Sequence, residues 1–174
     1  MRAASIDYRL TEPMLYLRWC GAALIMLCAL FCGREYSAYA ERRICEGAGL
    51  LALLLHIEKM IDSYLAPGGE LLVGFSDEWL EKCGFLGKMR EGGVAAFPTA
   101  ADSLAVGESI KKRLSDYFSG FGKGYKESEL ARLRECISDC KKMLSEEREE
   151  LEKSVKVTRA LLLGGAVGIA ILII

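Results

Sequence analysis

The chain closes on fifteen residues without a charge, Ala160 to Ile174, which follow without any proline on a charged, heptad-patterned segment from about Lys126 to Val155. A bilayer core about 30 Å thick needs roughly 20 helical residues, and the uncharged run alone reaches only about 22 Å. Starting the span at Val155 supplies the missing turn and takes in Lys156 and Arg159, whose long stems carry their charges back to the headgroups. A second charge-free stretch of fifteen, Trp19 to Gly33, extends to Met14 across the single Arg18. One such segment alone would suit a buried C-terminal helix. Two of them, bracketing a polar middle, read as anchors.

The first stretch also invites comparison with a cleaved signal, because Ala38-Tyr39-Ala40 is a small-x-small site. Eighteen residues precede its apolar core, however, and Arg34 and Glu35 interrupt the approach to that site. Phe31 before Cys32 is too large for a lipoprotein signal. The segment is read as an anchor. Cytoplasmic flanks of membrane spans carry an excess of Lys and Arg. Lys141, Lys142, Arg148, Lys153, Lys156 and Arg159 all precede the second span and nothing follows it, so its C-terminus is expected outside and the middle in the cytoplasm. The first span is nearly balanced, with Arg2, Arg9 and Arg18 before it and Arg34, Arg42 and Arg43 after it. The expected organisation is an N-terminal extension at 1–13, a transmembrane helix at 14–33, a cytoplasmic helical bundle at 34–154 and a transmembrane helix at 155–174.

Between Arg34 and Arg159 there are 20 Lys and Arg against 22 Asp and Glu. A nucleic-acid partner would call for a basic face, so none is expected. Of the seven cysteines, Cys20, Cys28 and Cys32 fall in the first span, which fits a reduced cytoplasmic setting better than a disulfide framework.

The middle reads as helix throughout, giving an all-α fold. Leu50, Leu53, Leu54, Ile57, Met60, Ile61 and Tyr64 recur at three- and four-residue intervals and form one buried face, which Pro67-Gly68-Gly69 stops. A short helix is expected to open at Ser76, with Asp77 and Glu78 in its first turn and Trp79, Leu80 and Cys83 facing inward. Gly84, Gly87, Gly92 and Gly93 then break the pattern. Thr99 is expected to cap a helix from about Ala100 to Val106, and a further helix from Glu108 to Ser119 places Ile110, Leu114, Tyr117 and Phe118 on one side, ended by Gly120, Gly122 and Gly124. In the final helix Leu130, Leu133, Ile137, Cys140, Leu144 and Leu151 take successive a and d positions, interrupted by Glu147 and Ser154. An acid at a d position argues for a long bundle helix over a strict coiled coil. Glu149 with Lys153 and Glu152 with Lys156 are spaced as exposed i,i+4 pairs.

Residues able to carry chemistry are sparse, and no catalytic, cofactor-binding or metal-ligating residue is assigned. His56, the only histidine, lies in the apolar helix and reads as a packed structural residue. Cys136 and Cys140, one turn apart, lack neighbours to complete a tetrahedral site. Gly120, Gly122 and Gly124 around Lys123 have neither a preceding strand nor a following Lys-Ser/Thr pair, so they form a hinge and not a phosphate loop. The acidic run Glu146, Glu147, Glu149, Glu150 and Glu152 is interleaved with Arg148 and Lys153 and reads as a solvated face. In the spans, Gly164 and Gly168, extended by Ala160, form a small-x3-small surface that either packs against another helix, with Gly21, Ala29 and Gly33 as its candidate partners, or is plain lipid-facing filler.

From Met14 onward the chain resembles the stage III sporulation protein AB family of endospore-forming bacteria. Leu50 to Leu72 is similar to that family's leucine-rich helix followed by a Pro-containing turn, and Phe118 to Glu129 to its short element leading into the final helix. Where the family has Leu-Gly, an Asp and a Gln, this chain has Phe121-Gly122, Tyr125 and Glu129, and it carries thirteen residues ahead of Met14. The resemblance implies a place in the mother-cell membrane around the forespore, within a secretion-like assembly. The family's soluble part is similar to the helical cytoplasmic domain of type II secretion platform proteins. The implied partners are a cytoplasmic secretion-type ATPase, other membrane proteins of the stage III assembly and membrane lipid, with a second copy of the chain as a candidate. The function expected is a non-catalytic platform that docks the ATPase, and the alternative is a stand-alone membrane-anchored helical adaptor or sensor.

Overall fold

A computed structural model describes residues 8–64 and 71–173 of the chain, with side chains placed from Tyr16 to Ser63 and from Leu71 to Leu172. Pro67-Gly68-Gly69 and the side chain of Tyr64 lie outside the described residues. The described residues form six α-helices: α1 (Tyr8–Tyr64), α2 (Glu78–Lys82), α3 (Phe85–Gly92), α4 (Phe97–Ala101), α5 (Glu108–Ser119) and α6 (Lys126–Ile173). A 3₁₀ turn, Gly93–Ala96, separates α3 from α4, and the described residues contain no strand. The protein is all-α. Two compact units result, one of the chain up to Tyr39 together with the stretch from Leu151 onward, the other of Ala40–Glu150.

In the Ala40–Glu150 unit the spacing of apolar residues on α1 does what the periodicity predicts: Leu50, Leu53, Leu54, Ile57 and Ile61 are all buried. Each such side chain removed from water stabilises the fold by about 1.5 to 3 kcal/mol. Leu114, Phe118, Leu130 and Leu133 join the same core, while Ile137 is half-buried at its edge. Phe97 sits at the centre, with no exposed surface, its ring 5.9 Å from Phe85 and 4.6 Å from Phe118. Glycine lets α1 come close to its neighbours. A Cβ at Gly49 would lie 2.7 Å from Asp77 Oδ1, and one at Gly47 would collide with Leu144 of α6.

Several local expectations are corrected. Asp77, not Ser76, caps α2: its Oδ1 accepts from the Trp79 and Leu80 amides at 3.1 and 3.0 Å, while the Ser76 hydroxyl donates to Glu81. The Asp77 carboxylate, one residue nearer the helix, reaches two of its orphan N–H groups. The glycine-rich stretch from Gly84 to Gly93 is not a plain break, because α3 forms inside it. Gly84, at φ 79, starts that helix, while Phe85, Leu86 and Met89 bury its inner face and outweigh the cost of Gly87. Thr99 caps nothing. The helix there is α4, which starts before it with Pro98 in the first turn, where a missing N–H costs no hydrogen bond. The chain from Asp102 to Gly107 is irregular, yet Leu104 and Val106 are buried.

On α6 the heptad reading is modified as well. Cys136 is completely buried whereas Ile137 and Leu144 are only partly so. Both interruptions of the pattern have partners on α1. Within Ala40–Glu150, Glu147 forms an ion pair with Arg43, so this acid does not belong to the solvated face. In the other unit Ser154 Oγ lies 2.7 Å from Tyr36 Oη.

That second unit pairs the N-terminal part of α1 with the C-terminal part of α6. Its packing face is Ala22, Ala166 and Ala170, all buried, with Gly33 against Leu162. The expectation that Gly164 and Gly168 form this face is therefore wrong: both are exposed, and a Cβ on either would meet no atom within 4 Å. Alanine already allows close approach, and its register, two positions on from each of these glycines, turns the glycines outward.

Candidate functional site

Unsatisfied charge is expensive inside a protein, so the buried polar groups of the Ala40–Glu150 unit reveal what its architecture must hold in place. Glu46 is completely buried on α1, one turn before Leu50 on the apolar stripe. Its Oε1 accepts from Arg42 Nε at 2.6 Å and its Oε2 from the Ala105 amide at 2.5 Å. This carboxylate fastens the irregular 102–107 segment to α1. Charged pairs join other elements: Arg113 of α5 donates to Asp139 of α6 at 2.8 Å, and Arg134 of α6 to Glu58 of α1 at 2.6 Å.

The glycine turn between α5 and α6, read from the sequence as a hinge, is braced from α6. Glu129, buried in the first turn of that helix, accepts from the Gly124 amide at 3.1 Å, and Arg132 donates to the Gly120 carbonyl at 3.1 Å. Beneath the turn lies Tyr117. Its Oη and Glu129 Oε2 are both buried, and neither has a hydrogen-bond partner among the described residues. Burial, reinforced by the Glu129 carboxylate, holds the Tyr117 phenol well above its ordinary range.

A raised phenol makes stability depend on alkaline pH. The unfolded chain loses the Tyr117 proton near pH 10 while the folded chain keeps it, so stability present below about pH 10 is lost as pH rises beyond it. Tyr117→Phe is expected to fold at least as stably at neutral pH, since it removes an unpaired buried hydroxyl, and to flatten that alkaline decline. Urea denaturation at pH 7 and pH 10.5 checks both. A variant as pH-sensitive as the parent would refute the assignment.

His56 is half-buried, its ring 5.4 Å from that of Phe75, and its Nε2 has no hydrogen-bond partner among the described residues. Cys136 and Cys140 are buried and hydrogen-bonded to each other. Donation to Cys136 and desolvation together push the Cys140 thiol far up, which leaves it a poor nucleophile. Among the described residues no group of three or more His, Cys, Asp or Glu side chains is placed to hold a metal ion. A groove of about 570 Å³ opens beside the 3₁₀ turn, bordered by Val94, Pro98, Phe118 and Phe121. The sequence reading missed Glu46 and the Arg43–Glu147 pair. For Glu46 the signal was present, an acid in register with the Leu50, Leu53 and Ile57 face.

In the other unit the apolar residues point outward. The most apolar windows of α1 and α6, with mean hydropathy 1.7 and 1.8, are each only 11% buried. Trp19, Leu24, Leu27, Phe31, Leu161, Ile169 and Leu172 are all more than two-fifths exposed, an apolar surface far beyond what a soluble helix leaves in water. Both helices are long and apolar enough to cross a membrane.

Fold and site together define a helical protein with two candidate membrane spans and a packed bundle whose helices are joined by ion pairs. The family model for stage III sporulation protein AB matches residues 18–174, nearly the whole chain. The chain belongs to that family, which serves stage III of sporulation as an assembly component and is not a known enzyme family. Comparison with curated proteins and with solved structures gave no match.

Proposed function

We propose that the protein is a non-catalytic platform of a secretion-like assembly in the mother-cell membrane around the forespore, and that its helical bundle docks a cytoplasmic ATPase. The observation that carries this reading is one compact helical unit, Ala40–Glu150, built on the same two helices that supply the apolar spans. Such a unit, continuous with a span at each end, can hold a soluble partner at the membrane. Membership of the sporulation family supplies the setting. The Lys and Arg excess before the second span favours a cytoplasmic bundle.

Affinity capture of the full-length protein from sporulating cells tests the docking. The platform reading expects the ATPase and neighbouring membrane subunits to be recovered together with it. Recovery of the protein alone from gently solubilised membranes would favour the stand-alone adaptor instead. Topology is tested separately. A reporter active only in the cytoplasm is expected to work at Gly92 and one active only outside to work after Ile174, and the reverse pattern would overturn the orientation.

A further inference from the structure

The charges that bound the two spans in the sequence meet in space. Arg34 is the first charge after the uncharged run Trp19 to Gly33, and Arg159 is the last before Ala160 to Ile174. The topology read from the sequence places both limits at the cytoplasmic face. In the unit formed by the two spans, both arginines line one cleft of about 280 Å³, together with Ala29, Leu30, Gly33, Leu162 and Leu163. The walls of the cleft are mostly apolar, and the two arginines border it.

Arg159 is oriented. Its Nε donates to Ser37 Oγ at 2.9 Å, and the Ser37 hydroxyl donates in turn to the Gly33 carbonyl at 2.7 Å. The terminal nitrogens of Arg159, and the whole guanidinium of exposed Arg34, make no hydrogen bond or ion pair among the described residues. Glu35, next in sequence and exposed, is paired with neither. Gly33 leaves the cleft open: a Cβ there would lie 3.8 Å from both Arg159 Cγ and Leu162 Cδ1 and narrow it.

We propose that this cleft is a binding site for a phospholipid of net negative charge, its phosphodiester held between Arg34 and Arg159 and an acyl chain lying along Leu30, Leu162 and Leu163. Guanidinium groups bind phosphate oxygens in a planar, bidentate geometry that suits the phosphodiester. A free phosphate would leave the apolar walls unused. A zwitterionic headgroup would bring its own cation towards two arginines, whereas phosphatidylglycerol brings none. Basic clefts between spans at the cytoplasmic face are placed where anionic lipid is found, and the orientation argued above puts both arginines there. The inference rests on the reading of α1 and α6 as spans.

The test is native mass spectrometry of the full-length protein, released from detergent containing equal amounts of phosphatidylglycerol and phosphatidylcholine. The parent is expected to retain phosphatidylglycerol with a preference of about thirtyfold, set by two basic contacts at the headgroup. Arg34→Gln with Arg159→Gln should reduce the preference to near parity. Lys141→Gln with Lys142→Gln, which removes the same charge from the Ala40–Glu150 unit, should leave it intact. Gly33→Leu retains every charge but obstructs the cleft, and loss of the preference in this variant would separate a built site from general attraction. Equal binding of the two lipids by the parent, or an undiminished preference in the double arginine variant, would overturn the site while the protein still fractionates with membranes. Recovery of the parent in the soluble fraction would instead overturn the spans.

Discussion

Phe97→Ala is expected to destabilise the helical bundle by about 3 to 5 kcal/mol, the range for truncating a buried aromatic whose site cannot collapse. Phe97 has no exposed surface and lies between Phe85 and Phe118, and Phe118 in turn packs edge-on against Tyr117. The ring therefore supports several short helices at once. None of α2 to α5 exceeds twelve residues, so none would persist without tertiary packing. A loss of this size is a large share of a typical domain's stability of about 5 to 15 kcal/mol. Chemical denaturation of the full chain in detergent, followed by tryptophan fluorescence, should show a markedly lower midpoint. A shift worth less than about 1 kcal/mol would mean that the aromatic cluster is not the keystone described here.

Glu150→Pro is expected to be nearly as severe, but locally. Residue 150 ends the compact bundle unit and lies inside α6, which is helical from Lys126 to Ile173. Proline there removes the amide that bonds the Glu146 carbonyl and clashes with that carbonyl, at a cost of about 3 kcal/mol or more of helix stability. If an unbroken helix between bundle and span is needed, the variant should lose heat-resistant spore formation while its bundle keeps the parent's denaturation midpoint. Glu150→Ala, which leaves the helix intact, should behave as the parent does. Normal spore yield from the proline variant would mean that α6 is a tether and not a lever.

How much of this was legible in the sequence depended on whether the pattern belonged to one helix or to several. The face from Leu50 to Ile61 and the limits of α5 could be read from spacing alone, because each helix buries a continuous stripe. Between Gly84 and Val106 the same reasoning failed: α3 and α4 are too short to show a period, and their buried residues are set by neighbours distant in sequence. Glu147 and Ser154 looked like faults in a heptad for a related reason. Their partners, Arg43 and Tyr36, are on α1, more than a hundred residues earlier. Gly164 and Gly168 show the opposite error, a motif legible in composition whose face is decided by the register of Ala166 and Ala170.

The pairing of α1 with α6 sets the order in which the protein can assemble. Arg134 meets Glu58 across 76 residues, and Tyr36 meets Ser154 across 118. Folding rates fall as contacts become less local, so this helical protein should fold slowly for its class. Its half-core on α1 leaves the ribosome long before α6 exists to cover it. During that interval Leu50, Leu53, Leu54 and Ile57 present a bare apolar stripe to whatever surrounds the nascent chain. Early synthesis of α6, for example in a circularly permuted chain, should shorten the time for which the nascent bundle is open to proteolysis.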